Sequence, residues 1–361
     1  MYLSRLHITN YRGISNLQID DLRPINIFVG RNGAGKTSVL EALSLATRPD
    51  LDKHFKLARF RGLQYPQYRE ADILETIFNF NYSKPPVRFD YEYKQYDDEA
   101  SKEYTVELHP LNVADANTRQ IRFSDDEYTN GFKDGAVDED DNVIGLALNI
   151  TSKDGVKIEQ KMLPTKDGYE VSGDEGQIDQ LGSFFVEARR SMSIDETMEM
   201  LKEKFRNIQW QQRFLIQVQS ILPNVQGVHL LGNGIYIDIG AEQLLPLPMM
   251  GDGFNRIFLV IVGMMASSSA TVMVDEIDSG LHHSVMDEFW STVGRIVDQG
   301  KQIFCTTHNE EMLDSLLDAF GPESDLFKIY RIDRDENSET SCVEYSPRQF
   351  DNALGFGFDV R

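Results

Sequence analysis

Gly30-Arg31-Asn32-Gly33-Ala34-Gly35-Lys36-Thr37 constrains this chain more than any other segment. It is preceded by the apolar run Ile25-Asn26-Ile27-Phe28-Val29 and followed by Ser38-Val39-Leu40-Glu41-Ala42-Leu43, whose pattern is helical. A strand, a glycine-rich loop and a helix in that order form a phosphate cradle. The glycines let successive N–H groups converge on one anion, and the helix adds its positive N-terminal end. Lys36 is placed to reach the β- and γ-phosphates of a nucleotide such as ATP, and the Thr37 hydroxyl to ligate Mg²⁺. The alternative is a glycine-rich turn without a ligand. The expected fold class is α/β.

A second segment, Ala270-Thr271-Val272-Met273-Val274-Asp275-Glu276, is a β-branched apolar run ending in two acids. As a buried parallel strand it delivers both acids at its C-terminal end, where open α/β sheets bind ligands. Asp275 is then the expected metal ligand, and Glu276 the group that orients and deprotonates water. A further strand, Gln302-Ile303-Phe304-Cys305, runs into Thr306-Thr307-His308. A histidine there can hydrogen-bond a γ-phosphate. Standing alone, His308 reads equally as an ordinary loop residue.

Between these segments lies Pro248-Met249-Met250-Gly251-Asp252-Gly253-Phe254-Asn255-Arg256, after which Phe254, Ile257, Phe258, Ile261 and Val262 recur at helical spacing. Gly251, Asp252 and Gly253 therefore open a helix and present backbone N–H groups to an anion. A second phosphate-facing helix start is redundant in a chain that has its own loop. It makes sense if it caps a nucleotide held by another copy; a plain glycine-rich helix start is the alternative.

The order of phosphate loop, Gly-Asp-Gly turn, Asp-Glu strand, Asp278-Ser279-Gly280-Leu281-His282 and Thr307-His308 resembles the ABC-type ATPase heads of the RecF/SMC/OLD group. The opening Leu6-His7-Ile8-Thr9-Asn10-Tyr11-Arg12-Gly13-Ile14 and the run Leu245-Pro246-Leu247-Pro248-Met249-Met250 look like the AAA-type ATPases of bacterial phage defence in that group. The resemblance covers residues 1 to about 60 and about 180 to 320. It implies a P-loop ABC-type head with a mixed central sheet, an antiparallel β lobe and a short helical insertion. It also implies that Gly30 to Ser38 hold ATP, with Thr37 and Asp275 on Mg²⁺. Asp275-Glu276 matches Walker B, Gly251-Asp252-Gly253 the ABC signature, Asp278 to His282 the D-loop, and His308 the switch histidine. Arg12 matches a basic residue near the nucleotide in such heads; a surface arginine in a first hairpin is the other reading. Two positions depart from the pattern. Gly251 stands where the signature usually has serine, so backbone amides and Arg256 have to compensate. The Q-loop glutamine has no clear counterpart where the lobe returns at Ser183 to Arg190, and Gln64 is the alternative.

Composition fits a cytoplasmic enzyme: 361 residues, 41% hydrophobic, with no apolar stretch of membrane-spanning length and a start that reads as a strand. Cys305 and Cys342 do not suggest a disulfide framework. The formal net charge of −22 argues against general nucleic-acid binding, although Lys53, Lys56, Arg59 and Arg61 could form a local contact. The expected division is an N-terminal lobe over 1–64 and an acidic antiparallel β region over 65–180. A short helical insertion over 181–225 and a C-terminal lobe over 226–361 complete it. In the acidic region Thr76 to Phe80, Tyr104 to Leu108 and Val143 to Leu148 read as strands, joined by acidic loops such as Asp97-Asp98-Glu99 and Asp138-Glu139-Asp140-Asp141. Met198, Leu201, Phe205, Ile208, Phe214, Ile216 and Val218 mark helices too short for a long arm. Asp333-Arg334-Asp335 reads as a hairpin turn, and residues 309–361 are too few for a TOPRIM nuclease.

The expected function is a Mg²⁺-dependent ATPase that self-associates around ATP as a dimer or higher oligomer. From resemblance, it controls a separately encoded effector, such as a TOPRIM-type nuclease, in anti-phage defence. A RecF-like clamp on DNA and a binding module with structural ATP remain as alternatives.

Overall fold

The computed structural model describes residues 1–47, 76–78, 86–95, 100–112, 143–165, 168–174, 182–186, 194–267, 270–337 and 339–355. The first half of the chain gives β1 (Tyr2–Tyr11), β2 (Ile14–Ile19), β3 (Ile25–Val29), α1 (Lys36–Thr47), β4 (Val87–Lys94), β5 (Ser101–Asn112), β6 (Val143–Ser152), β7 (Lys157–Thr165) and β8 (Gly168–Gly173). The second half gives β9 (Ser183–Val186), α2 (Ile194–Lys204), α3 (Ile208–Ile221), β10 (Gly227–Leu231), β11 (Gly234–Asp238), β12 (Leu245–Pro246), α4 (Asp252–Ala266) and β13 (Thr271–Val274). It ends with α5 (Met286–Val297), β14 (Gln302–Thr306), α6 (Glu310–Phe320), β15 (Phe327–Arg334), β16 (Thr340–Tyr345) and α7 (Pro347–Gly355).

The central sheet runs β16-β15-β3-β14-β13-β9. The five strands from β15 to the far edge β9 are parallel, and β16 is an antiparallel edge. β3, β13 and β14 are buried along their whole length, because both faces are covered and each strand can be apolar throughout. The strand alternation assigns the faces. Phe28, Met273, Phe304 and Tyr330 point to one core, and Ile27, Val272, Val274, Ile303 and Cys305 to the other. The second face packs against α4, α5 and α6. There the buried Trp290 donates Nε1–H to Met312 O at 2.9 Å, so its burial strands no polar group.

Against the first face lies an antiparallel sheet ordered β2-β1-β4-β5-β6-β7-β8. In β4 alternate residues Val87, Phe89, Tyr91 and Tyr93 turn inward. α1 is sandwiched between the two sheets. It is buried on all sides except at Thr37, which is why it lacks the single apolar stripe of a surface helix. A small sheet, β10-β11-β12, precedes α4.

β3 is inserted between strands from the far end of the chain, with Ile27 in register with Cys305 on one side and Ile329 on the other. The phosphate loop after β3, the acids after β13 and His308 after β14 therefore share the C-terminal edge of the parallel strands.

Three expectations need correction or placement. Thr76 and Ile77 are helical and Phe78 lies in a turn, where a strand was expected; Ile77 and Phe78 fill the first core and the Ile77 carbonyl accepts from Arg12 N–H at 2.9 Å. Met198, Leu201, Phe214 and Val218 are buried on α2 and α3, but Ile208 is 70% exposed and Ile216 59% exposed, off the packed stripe. The acidic runs at 97–99 and 138–141, the basic cluster at 53–61, Gln64 and Glu187 to Arg190 lie outside the described residues. No described helix is long and apolar enough to cross a membrane.

Candidate functional site

At the end of β3 the chain turns at Gly30, with φ +137°, and a Cβ there would lie 2.2 Å from the carbonyl oxygen of Ile332. Only glycine lets the loop leave the strand while hugging β15. The Lys36 side chain is buried, and its Nζ donates to the carbonyls of Gly30 at 2.8 Å and Arg31 at 3.1 Å. Burial lowers its pKa, and the negative charges of Asp275 and Glu276 oppose that shift. An ammonium is thus held over a loop of backbone donors, where a phosphate chain could replace its carbonyl partners.

The floor of the site is one connected network. The Thr37 hydroxyl donates to the Asp275 carboxylate at 3.1 and 3.2 Å, and the Thr306 hydroxyl donates to Asp275 Oδ1 at 2.6 Å. The same Thr306 oxygen accepts the Glu276 N–H at 2.7 Å, and the Thr306 carbonyl accepts Ile277 N–H at 2.9 Å. Thr307 donates to Asp278 Oδ1 at 2.6 Å. Glu276 has φ +50°, an uncommon left-handed conformation for a non-glycine residue, so these bonds hold its backbone against strain. Thr306 and Thr307, rather than His308, bond the acids at the floor of this candidate site. Their signal was two consecutive threonines at a strand end, but their partners are set by the β13–β14 register.

A cavity of about 560 Å³ opens above this floor. Asn32 to Ser38, Arg12, Asp275, Glu276, Thr306 and His308 line it, and Arg334, at the end of β15 where the sequence predicts a hairpin turn, joins its wall. His308 is half-buried. Burial, then the nearby Lys36 charge, lower its pKa, and the charges of Asp278, Glu276 and Asp275 oppose that shift. Arg12 is not a surface arginine: it is 8% exposed and its Nε lies 2.9 Å from Oε2 of the still more deeply buried Glu41 on α1. Arg31 lines an adjoining groove with Asn32, Gly33 and Ala34.

Gly251, Asp252 and Gly253 do open α4, with Gly251 at φ +78°, but they lie outside this cavity. Arg256 is not turned outward to replace the missing signature serine. Its Nη2 donates to the carbonyls of Asp275 and Glu276 of its own chain. Gly253 packs against Gly280, and a Cβ on Gly280 would lie 2.6 Å from Gly253 Cα.

The donor set fits a small hard cation. A hydroxyl and a carboxylate, Thr37 and Asp275, already sit within hydrogen-bond distance at the foot of the phosphate loop, and both are oxygen ligands.

The phosphate loop at the end of β3, the Asp-Glu loop beside it and the flanking antiparallel sheet define an ABC-type ATPase head of the RecF/SMC group. The sequence matches the family described as "AAA domain, putative AbiEii toxin, Type IV TA system" over residues 25–314, and the chain belongs to that family. It is 22% identical over 341 residues to an "ATP/GTP phosphatase" of Helicobacter pylori, covering 87% of each chain. It is 47% identical over 45 residues to the DNA replication and repair protein RecF of Acinetobacter baumannii, covering 12% of each chain. Among solved structures, the Smc head bound to the C-terminal winged-helix domain of ScpA matches with a TM-score of 0.50 and 14% identity. That match covers 98% of this chain and 100% of the other, and it shows a shared fold.

Proposed function

We propose that this head hydrolyses ATP with Mg²⁺ between two copies of the chain and uses the cycle to control a partner protein, in the cytoplasm, in anti-phage defence. The observation that carries the reading is the network joining Thr37, Asp275 and Thr306 beneath Lys36, with Glu276 at the cavity mouth. In this reading Gly30 to Ser38 wrap the phosphates, and Lys36 leaves its carbonyl partners for the β- and γ-oxygens. Thr37 and Asp275 hold Mg²⁺, which when bound neutralises phosphate charge. Glu276 takes a proton from the attacking water and His308 hydrogen-bonds the γ-phosphate. Arg12, fixed by Glu41, supplies a further cation beside the nucleotide. The exposed Gly251 and Asp252, outside the chain's own cavity, support a role for the α4 start against a nucleotide held by a second copy. The family description, with its toxin–antitoxin wording, supports a conflict role; the separately encoded effector, such as a TOPRIM-type nuclease, is part of the proposal and follows from the resemblance alone. The net charge of −22 weighs against a DNA clamp.

The test compares ATP binding by calorimetry with Mg²⁺ and with chelator, for wild type and Asp275→Ala. Wild-type affinity should fall without the metal, and the variant should lose that difference. Metal-independent binding by wild type would refute the metal assignment. Phage plating on cells carrying the chain with its neighbouring genes, wild type against Lys36→Ala, tests the defence role. Equal plating would remove it, and DNA-stimulated turnover would favour the clamp.

A further inference from the structure

The Asp275–Gly280 loop is held from two sides. On one side the end of β14 and the residue after it, Thr306 and Thr307, bond its amides and carboxylates. On the other side α4 takes its carbonyls: half-buried Arg256, one turn into the helix, donates from Nη2 to the Asp275 and Glu276 oxygens, the latter at 3.0 Å. The α4 start closes the same loop at its far end, where Gly253 and Gly280 approach so closely that neither position has room for a relaxed Cβ. Between these holds sits Glu276 with φ +50°.

From this geometry we infer that Arg256 is a positioning residue for Glu276. It fixes the two peptide carbonyls that flank the catalytic residue and so keeps the carboxylate aimed into the cavity. A planar guanidinium suits the task, because its N–H groups present a rigid fork to two acceptors, whereas an ammonium is a flexible point donor. Burial lowers its pKa, and the three acids around it, Asp275, Glu276 and Asp278, offset part of the cost of burying its charge. The inference rests on Glu276 being the hydrolytic base, and it deepens that reading by naming what aims the base. It also makes α4 and the catalytic loop one mechanical unit. A displacement of the α4 start, where a second copy is proposed to dock, is then felt at Glu276.

Arg256→Lys separates the fork from the charge, and Arg256→Met removes both. Two measurements are made on the full chain. In steady-state ATP turnover, Arg256→Lys should lower kcat at least about tenfold, with KM within about threefold of wild type, because positioning rather than binding is lost. Arg256→Met should lose at least as much. By amide hydrogen exchange, residues 276–281 should exchange at least about tenfold faster in both variants while β3 and β14 keep wild-type protection. A structural role alone would raise exchange without splitting kcat from KM. Wild-type kcat in Arg256→Lys, or wild-type exchange at 276–281 in both variants, overturns the inference. If wild type itself shows no turnover, the ATPase reading falls, and the exchange arm alone decides whether Arg256 holds the 276–281 loop.

Discussion

Thr306→Val isolates the bond network on which the site's floor depends. Threonine and valine share a branched shape, so the packing of β14 at this fully buried position survives while the hydroxyl goes. Two interactions are lost together: the 2.6 Å donation to Asp275 and the 2.7 Å acceptance from Glu276 N–H. A hydrogen bond to a charged group contributes about 1.5–3 kcal/mol, and an amide left without its acceptor costs about 1–3 kcal/mol. Because Glu276 is solvent-exposed, water can reach its amide and the combined loss should fall near 2–3 kcal/mol. If about 1.4 kcal/mol of that is felt in the hydrolytic transition state, kcat drops about tenfold. Urea unfolding followed by fluorescence gives the stability and ATP turnover gives the rate. Thr306→Ser keeps the hydroxyl and should restore both. Wild-type stability and turnover in Thr306→Val would show that the network is incidental.

Lys36→Ala removes the ammonium over the phosphate loop and should weaken ATP binding at least about 100-fold by calorimetry; equal affinity would remove the phosphate-loop assignment. Gly253→Glu cannot test the α4 start cleanly, because a side chain there meets Gly280. The exposed Asp252→Trp should instead block a second copy sterically, leaving ATP binding intact and abolishing turnover, and an unchanged rate would leave α4 as a plain helix start. His308 titrates below its ordinary value near 6.5, so in the window between the two values the unfolded chain binds more protons than the folded one. Stability without nucleotide should therefore fall as pH falls through that window, and His308→Gln should flatten the slope; a wild-type slope in the variant would refute it.

The phosphate loop, the Asp-Glu strand end and the α4 start were legible because each is written in one continuous segment with a local reason for its shape. The α/β class followed from them. Thr306, Arg256 and the Arg12–Glu41 pair were not legible in their roles. Each acts on a partner distant in sequence, and only the insertion of β3 between β14 and β15, with α4 laid beside β13, brings those partners together. Ile208 and Ile216 lie on α3, a helix as their spacing implies, but the face of α3 that packs carries Phe214, Val218 and Ile221, a distinction that only the tertiary neighbours decide. Thr76 to Phe78 misled because β-branched and aromatic residues favour strands, but here the Ile77 carbonyl is taken by Arg12 rather than by a neighbouring strand.

The most direct test of the central claim is Glu276→Gln, which keeps size and hydrogen bonding but removes the base. Mass by light scattering and bound nucleotide are measured together after mixing with ATP and Mg²⁺. The account predicts normal ATP binding, hydrolysis slower by about 10²–10⁴-fold, and accumulation of an ATP-bound assembly of at least twice the monomer mass. Hydrolysis at the wild-type rate, with no retained ATP and no change in mass, would contradict it.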